Sequence, residues 1–224
     1  MKRFTKSVLA ALLIVGASGA SAVELVAGPW TPLPGRTLVM DPDLAGVALA
    51  DELQAFSFGV GAGMISGTVQ STVVRSSVDG TLDFYWRIIS DTASSGAIDA
   101  FRLGDFVTSM YDADWRIDGL GSTAPTDAKL FPGVGGNVNY RFTGAGMSGL
   151  MPGSSSFFLF LDTSATTYDR SATFDLTSGN DISGTYSTFA PSQAEVPEPA
   201  SAAIFALGVA GMALARRRKN GSQA

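Results

Sequence analysis

Apolar and polar side chains alternate with a period of two over most of residues 23–195, a pattern that admits little besides β-sheet. Leu82, Phe84, Trp86 and Ile88 alternate with Thr81, Asp83, Tyr85 and Arg87. Ile65, Gly67, Val69, Ser71 and Val73 alternate with Ser66, Thr68, Gln70 and Thr72. Trp115 and Ile117 alternate with Asp114 and Arg116, and Val138, Tyr140 and Phe142 with Asn137, Asn139 and Arg141. Phe174 and Leu176 oppose Thr173, Asp175 and Thr177, and Ile182, Gly184, Tyr186 and Thr188 close the series. Each run is rich in β-branched or aromatic residues and bounded by Gly, Pro, Asp, Asn or Ser. Asp79-Gly80 predicts a hairpin between two such runs, and Gly179-Asn180-Asp181 a second turn. Phe157, Leu159 and Leu161 oppose Ser156, Phe158 and Phe160, apolar on both sides, which predicts a central strand. Eight or more short strands without intervening helices predict an all-β domain: an antiparallel β-sandwich or jelly roll, or else a barrel.

Helix signals are sparse between residues 23 and 195. The best is residues 44–54, with Asp43 as a candidate N-cap and Leu44, Val47, Ala48 and Leu53 on one side. Gly46 weakens it, so a short helix or a turn is expected there. Residues 23–43 carry four prolines and predict an irregular lead-in or an edge strand. The all-β domain is expected over residues 23–190, followed by a linker at 191–195 that holds Pro191, Ser192 and Gln193.

The first 22 residues have the three parts of a secretory signal peptide. Lys2, Arg3 and Lys6 form a basic start, residues 8–15 are apolar, and Ala20-Ser21-Ala22 is an Ala-x-Ala site for signal peptidase. The mature chain is then expected to begin at Val23.

The other end is equally ordered. Val196-Pro197-Glu198-Pro199 precedes an uncharged run at residues 200–215, then Arg216-Arg217-Arg218-Lys219. Pro197 disfavours helix at Val196, so the box should be extended and open to a protease. Pro199 suits the first position of a helix, where its missing N–H is no loss. A helix over residues 200–215 would span about 24 Å, short for a hydrocarbon core of about 30 Å. Snorkelling arginines and local thinning absorb the difference. The basic cluster should stay cytoplasmic, leaving the rest across the inner membrane. The alternative, a buried core helix with a basic end, sits poorly beside a signal peptide at the opposite terminus.

These residues resemble the PEP-CTERM sorting domain of exported bacterial proteins, and the resemblance covers only about the last 27 residues. It implies recognition by exosortase, a membrane-embedded cysteine protease that cleaves near the Pro-Glu-Pro box. It also implies a Gram-negative-type host, often one that makes extracellular polysaccharide. It implies nothing about residues 23–195.

Charge and composition then exclude function classes. Residues 23–195 hold 8 basic and 19 acidic residues, so the exported region carries about −11 where the whole chain carries −5. Such a surface repels nucleic acid and anionic membranes. With no cysteine the domain is held by packing alone, and with no histidine either, Ser-His-Asp and Cys-His catalysis and nearly all zinc sites fall away.

The remaining motifs have bland readings beside sharp ones. Gly144-Ala145-Gly146-Met147-Ser148-Gly149 matches a dinucleotide fingerprint, but Met151-Pro152-Gly153 follows at once, so a turn or bulge is expected. Gly61-Ala62-Gly63-Met64 repeats part of it, a weak trace of duplication. Asp112, Asp114 and Asp118 before Gly119 are candidate calcium ligands. Their spacing breaks the EF-hand rule, with Arg116 at the fifth position, and solvated turns are the simpler reading. A glycosidase needs two facing carboxyl groups, and only Glu24, Glu52 and Glu195 are glutamates here; no aspartate pair stands out. A Ser-Lys dyad would have to use Lys129, with Ser122 nearby in sequence. Tyr85, Trp86, Tyr111, Trp115 and Tyr140 would form a sugar-stacking platform if they face outward, and a core if inward.

The sequence therefore predicts a non-enzymatic exported protein of the cell surface or extracellular matrix, with no cofactor. A carbohydrate-binding module for extracellular polysaccharide, calcium-assisted or not, is the first alternative. An Asp-dependent hydrolase is the second.

Overall fold

A computed structural model describes residues 22–60, 63–133, 135–144 and 146–192. The signal peptide through Ser21, the sorting box and the helix expected at residues 200–215 lie outside the described residues. Among the described residues no helix is long and apolar enough to cross a membrane.

The body is all-β, and its strand ladders are antiparallel. Its longest hairpin joins β3 (Gly46–Val60) to β4 (Gly63–Ser76). A tight turn with Gly80 at φ 80° then leads into β5 (Leu82–Ser90), so Asp79-Gly80 does mark a hairpin. With β1 (Val23–Glu24), β7 (Asp112–Trp115) and β12 (Leu159–Asp162) these form sheet I, in the order β1-β7-β12-β5-β4-β3. Sheet II contains β2 (Thr31–Pro32), β6 (Ala100–Gly104), β8 (Asp127–Leu130), β9 (Val138–Arg141), β13 (Tyr168–Ser178) and β14 (Asp181–Ile182). Their order is β14-β13-β6-β9-β8-β2, and β15 (Tyr186–Pro191) also pairs with β13. The proline-rich lead-in supplies β1 and β2, each at a sheet edge where a missing N–H is tolerated.

Period two decides which faces meet. In β4 every second residue from Ile65 to Val73 is buried, and β13 does the same from Ala172 to Ser178. Phe84, Trp86 and Ile88 of sheet I share one core with Phe101, Tyr140 and Phe174 of sheet II. The Tyr140 hydroxyl donates to the carbonyl of Phe160 at 2.6 Å, tying the two sheets together. Strand β12 lies between β7 and β5 as its doubly apolar pattern predicts, and Leu159, Phe160 and Leu161 are all buried. Phe160 points away from the main core. It packs with Ala22, Leu44 and Tyr85 in a second cluster that residues 36–45 help to cover.

Several expectations need correction. Residues 44–54 are not helical: a 3-10 turn at Pro42–Leu44, opened by Pro42, passes directly into β3. Asp41 rather than Asp43 precedes it, without a side-chain cap. The apparent stripe dissolves, since Val47 and Leu53 are both exposed while Phe56 and Phe58 are buried at spacing two. The continuous ladder with β4, interrupted by one bulge between Ala48 and Ala50, overrides the weak helical period. Ile117 and Ile182 face outward, because β7 stops at Trp115 and β14 is a two-residue edge. Pro191 is not linker: β15 reaches it, and the Ser192 N–H bonds the Thr167 carbonyl at 3.1 Å.

Gly67 explains one oddity of the β4 pattern. It faces Phe56 across the ladder, and a Cβ there would lie 2.8 Å from the Phe56 ring and collide with the Ile89 carbonyl. Gly67→Ala should therefore cost on the order of 1–3 kcal/mol by overpacking, read as a lower denaturation midpoint. An unchanged midpoint would contradict this packing.

Candidate functional site

The outer face of sheet II is the surface best built to meet a ligand. Phe101, Val138, Tyr140, Phe174 and Leu176 point into the core, so their strand neighbours point out. Cross-strand register sets Lys129, Asn139, Arg102 and Asp175 in one row. Asp127, Arg141, Ala100 and Thr177 form the next row. Arg102 holds Asp175 through two bonds of 2.5 and 2.7 Å, and Arg141 holds Asp127 the same way at 2.9 and 2.5 Å. Such planar, two-pronged pairs are rigid and keep spare donors and lone pairs.

Trp30 stands at the rim, 37 % exposed, with the Arg141 guanidinium 4.2 Å from its ring centre. Lys129 lies 4.7 Å from the ring centre of Phe131, which is equally exposed. Two hollows of about 330 and 360 Å³ flank the Arg102–Asn139 row and share both residues. That is the lower range of small-ligand sites. The guanidinium charges are matched by carboxylates, so the face offers paired hydrogen bonds and an aromatic edge more than net charge.

The residues singled out from sequence go elsewhere. Trp86, Tyr85 and Tyr140 are buried, and Tyr111 and Trp115 pack partly buried against the main core. Of the two arrangements open to these aromatics, the structure gives core, because residues 36–45 and sheet II cover both faces of β5. Trp30 and Phe131 carry the exposed aromatic surface instead. Gly144 and Met147 pair in a two-stranded hairpin, β10 (Thr143–Gly144) with β11 (Met147–Ser148), which is a turn and not a helix N-terminus. Lys129 faces aromatic rings, while the Ser122 hydroxyl bonds the Ser155 carbonyl.

Asp112, Asp114 and Asp118 are not gathered. Asp114 is fully buried, accepts the N–H groups of Gly35 and Trp115 at 2.8 and 3.0 Å, and lies 3.3 Å from Arg36 Nε. Asp118 accepts the Leu38 N–H at 2.8 Å and pairs with Arg116 at 2.7 Å. Burial pushes its carboxyl up, but those two partners together hold it below the usual value. Asp112 faces Glu24 and Asp162 across the ladder, and burial raises its carboxyl. Among the described residues no three Asp, Glu, His or Cys side chains are grouped to hold a metal ion.

The pairing that sequence missed is Asp83 with Asp162, directly opposite on β5 and β12. Asp83 is fully buried. Burial, then the neighbouring Asp162 charge, pushes its carboxyl up to about 9, and burial lifts Asp162 to about 6. The pair lines none of the hollows described here, including one of about 350 Å³ between Tyr85 and Leu120. Its effect is on stability. Unfolded carboxyls titrate near ~3.9, so the folded state binds the extra proton between pH ~4 and about 9. Stability from this group is fullest at the acid end and falls as pH rises through that window. Asp83→Asn should flatten the decline and raise stability at pH 8 by on the order of 2 kcal/mol. Melting curves at pH 5 and pH 8 measure it, and a wild-type protein equally stable at both would refute it.

Beyond the described body, residues 195–219 match the PEP-CTERM protein-sorting motif. The match contains Val196-Pro197-Glu198-Pro199 and ends on Lys219. No curated protein and no solved structure matches the chain.

Proposed function

We propose that this chain is an exported precursor whose β-sandwich body is delivered to the cell surface or extracellular matrix and acts there by binding rather than by catalysis. The sorting motif at residues 195–219 carries the reading, and it begins three residues after the last described residue, Ser192. Signal peptidase removes residues 1–22, a helix near residues 200–215 holds the intermediate in the inner membrane, and exosortase acts at the Pro-Glu-Pro box. Mass spectrometry of the surface product tests this: both ends should be missing. Intact Met1 and Ala224 on a cytosolic protein would overturn it.

The outer face of sheet II favours a second reading, binding of a polysaccharide. Rigid Arg–Asp pairs, Asn139 and the Thr173 and Thr177 side chains supply donors and acceptors for a polyol, and Trp30 supplies an apolar edge. Charge pairing favours a neutral polymer over an anionic one. Trp30→Ala with Arg102→Ala should weaken retention on an insoluble neutral glucan or mannan at least tenfold without lowering the melting temperature. Equal retention of the double variant removes this reading and leaves the sorting reading untouched.

A further inference from the structure

Every methionine among the described residues lies on the surface. The chain has seven; Met1 and Met212 fall outside the described residues. Met40, Met64, Met110, Met147 and Met151 are all exposed, from 43 % at Met147 to 54 % at Met64. That inverts the usual use of the residue, whose flexible thioether fills gaps in cores. Leucine, by contrast, occurs on both sides here, with Leu82 buried and Leu53 exposed. Two of the methionines end the repeated strings Gly61-Ala62-Gly63-Met64 and Gly144-Ala145-Gly146-Met147. Each stands in a hairpin directly opposite a glycine, Met64 facing Gly59 and Met147 facing Gly144. The directly opposed residue is the nearest cross-strand neighbour, and glycine has no side chain to lean over the sulfur. What the two strings share is therefore an unshielded thioether.

We propose that these five thioethers form an oxidisable outer shell, a set of modification sites that takes oxygen from peroxides while the fold beneath stays intact. A sulfur lone pair attacks one peroxide oxygen, and the S–O bond forms as the O–O bond breaks. The departing hydroxide takes the proton of the transferred oxygen and leaves as water. Sulfur loses two electrons, the peroxide gains them, and a sulfoxide remains. With no cysteine in the chain, no thiol competes for the oxidant. A sulfoxide is polar and disrupts a core that contains it. Here it only replaces an apolar tip that already meets water. The backbone at these positions is held by bonds the sulfur does not make. Ser95 donates its N–H to the Met64 carbonyl at 2.8 Å, Ser154 donates to that of Met151 at 3.1 Å, and Met40 donates its own to Thr37 at 3.0 Å. Beside Met64 there is also room for the added oxygen. A Cβ on Gly59 would meet nothing nearer than the Gly63 carbonyl oxygen at 3.9 Å.

The test treats the exported product with hydrogen peroxide and reads each methionine by peptide-mapping mass spectrometry. All five should oxidise within about fivefold of the rate of methionine in a short unstructured peptide. The fully oxidised protein should melt within ~5 °C of the untreated one. Gly59→Leu, which sets a side chain opposite Met64, should slow that site at least about threefold and leave the other four unchanged. Any site slower than the fivefold limit, or a larger fall in melting temperature, overturns the shell. A Met64 rate slowed by less than threefold in a folded Gly59→Leu variant overturns the part given to the facing glycine. If that variant fails to fold, the wild-type rates and melting alone decide.

Discussion

Trp86→Ala should cost the β body a large share of its folding stability. Trp86 is 1 % exposed and packs its ring 5.8 Å from both Phe101 and Phe106. Its Nε1–H donates to Thr188 Oγ1 at 2.9 Å, and that hydroxyl continues to Ser71 at 3.1 Å. One side chain thus joins β5 of sheet I to β15 beside sheet II. Truncating a buried Trp costs ~3–5 kcal/mol, against a total stability of ~5–15 kcal/mol. Orphaning Thr188 adds to it. With no cysteine in the chain there is no cross-link to limit the loss. The measurement is thermal unfolding by near-ultraviolet circular dichroism, where a fall of about 10 °C or more is expected. Trp86→Phe keeps most of the packing and should fall between. A Trp86→Ala midpoint within ~2 °C of wild type would mean that the two sheets do not share the core described here.

Deleting residues 197–199 should stop C-terminal processing almost completely while leaving export and folding intact. The deleted residues lie in the matched sorting motif and outside the described body. On sequence grounds, two prolines in three positions disfavour helix at the residue before each and remove backbone N–H donors, which suits a protease cleft. Without them residue 196 would run straight into the hydrophobic segment. Immunoblots of membrane and extracellular fractions read the outcome: the longer species should build up in the membrane and the shorter one vanish. Normal release of the shortened chain would separate this protein from exosortase altogether.

The strands of the core were legible because burial on one face writes a period of two into sequence. Strands β4, β9 and β13 show it plainly. Strand β3 did not, because it is an edge: its outward Val47 and Leu53 mimic a helical stripe, and its ladder partner in β4 leaves no mark on its own residues. The aromatic faces were illegible for a different reason. Trp86 and Tyr85 alternate as an amphipathic strand would, yet both are buried, since Leu38 and Leu44 come from a distant segment to cover the outer side. Alternation reports which residues share a face, not what lies over it. Trp30 sits among prolines with no period to assign it a side. Arg102 with Asp175, and Asp83 with Asp162, become neighbours only through register, which side-chain chemistry alone does not specify. The C-terminal sorting motif needed no fold to be seen, because its meaning lies in order along the chain.

The last strand, β15, is knitted to β13 through five registered residue pairs from Tyr186 to Pro191. A pull on the C-terminal end of the body would be borne by this seam of backbone bonds, loaded together. Under such a pull the body should yield abruptly, when the seam shears, rather than fray by degrees.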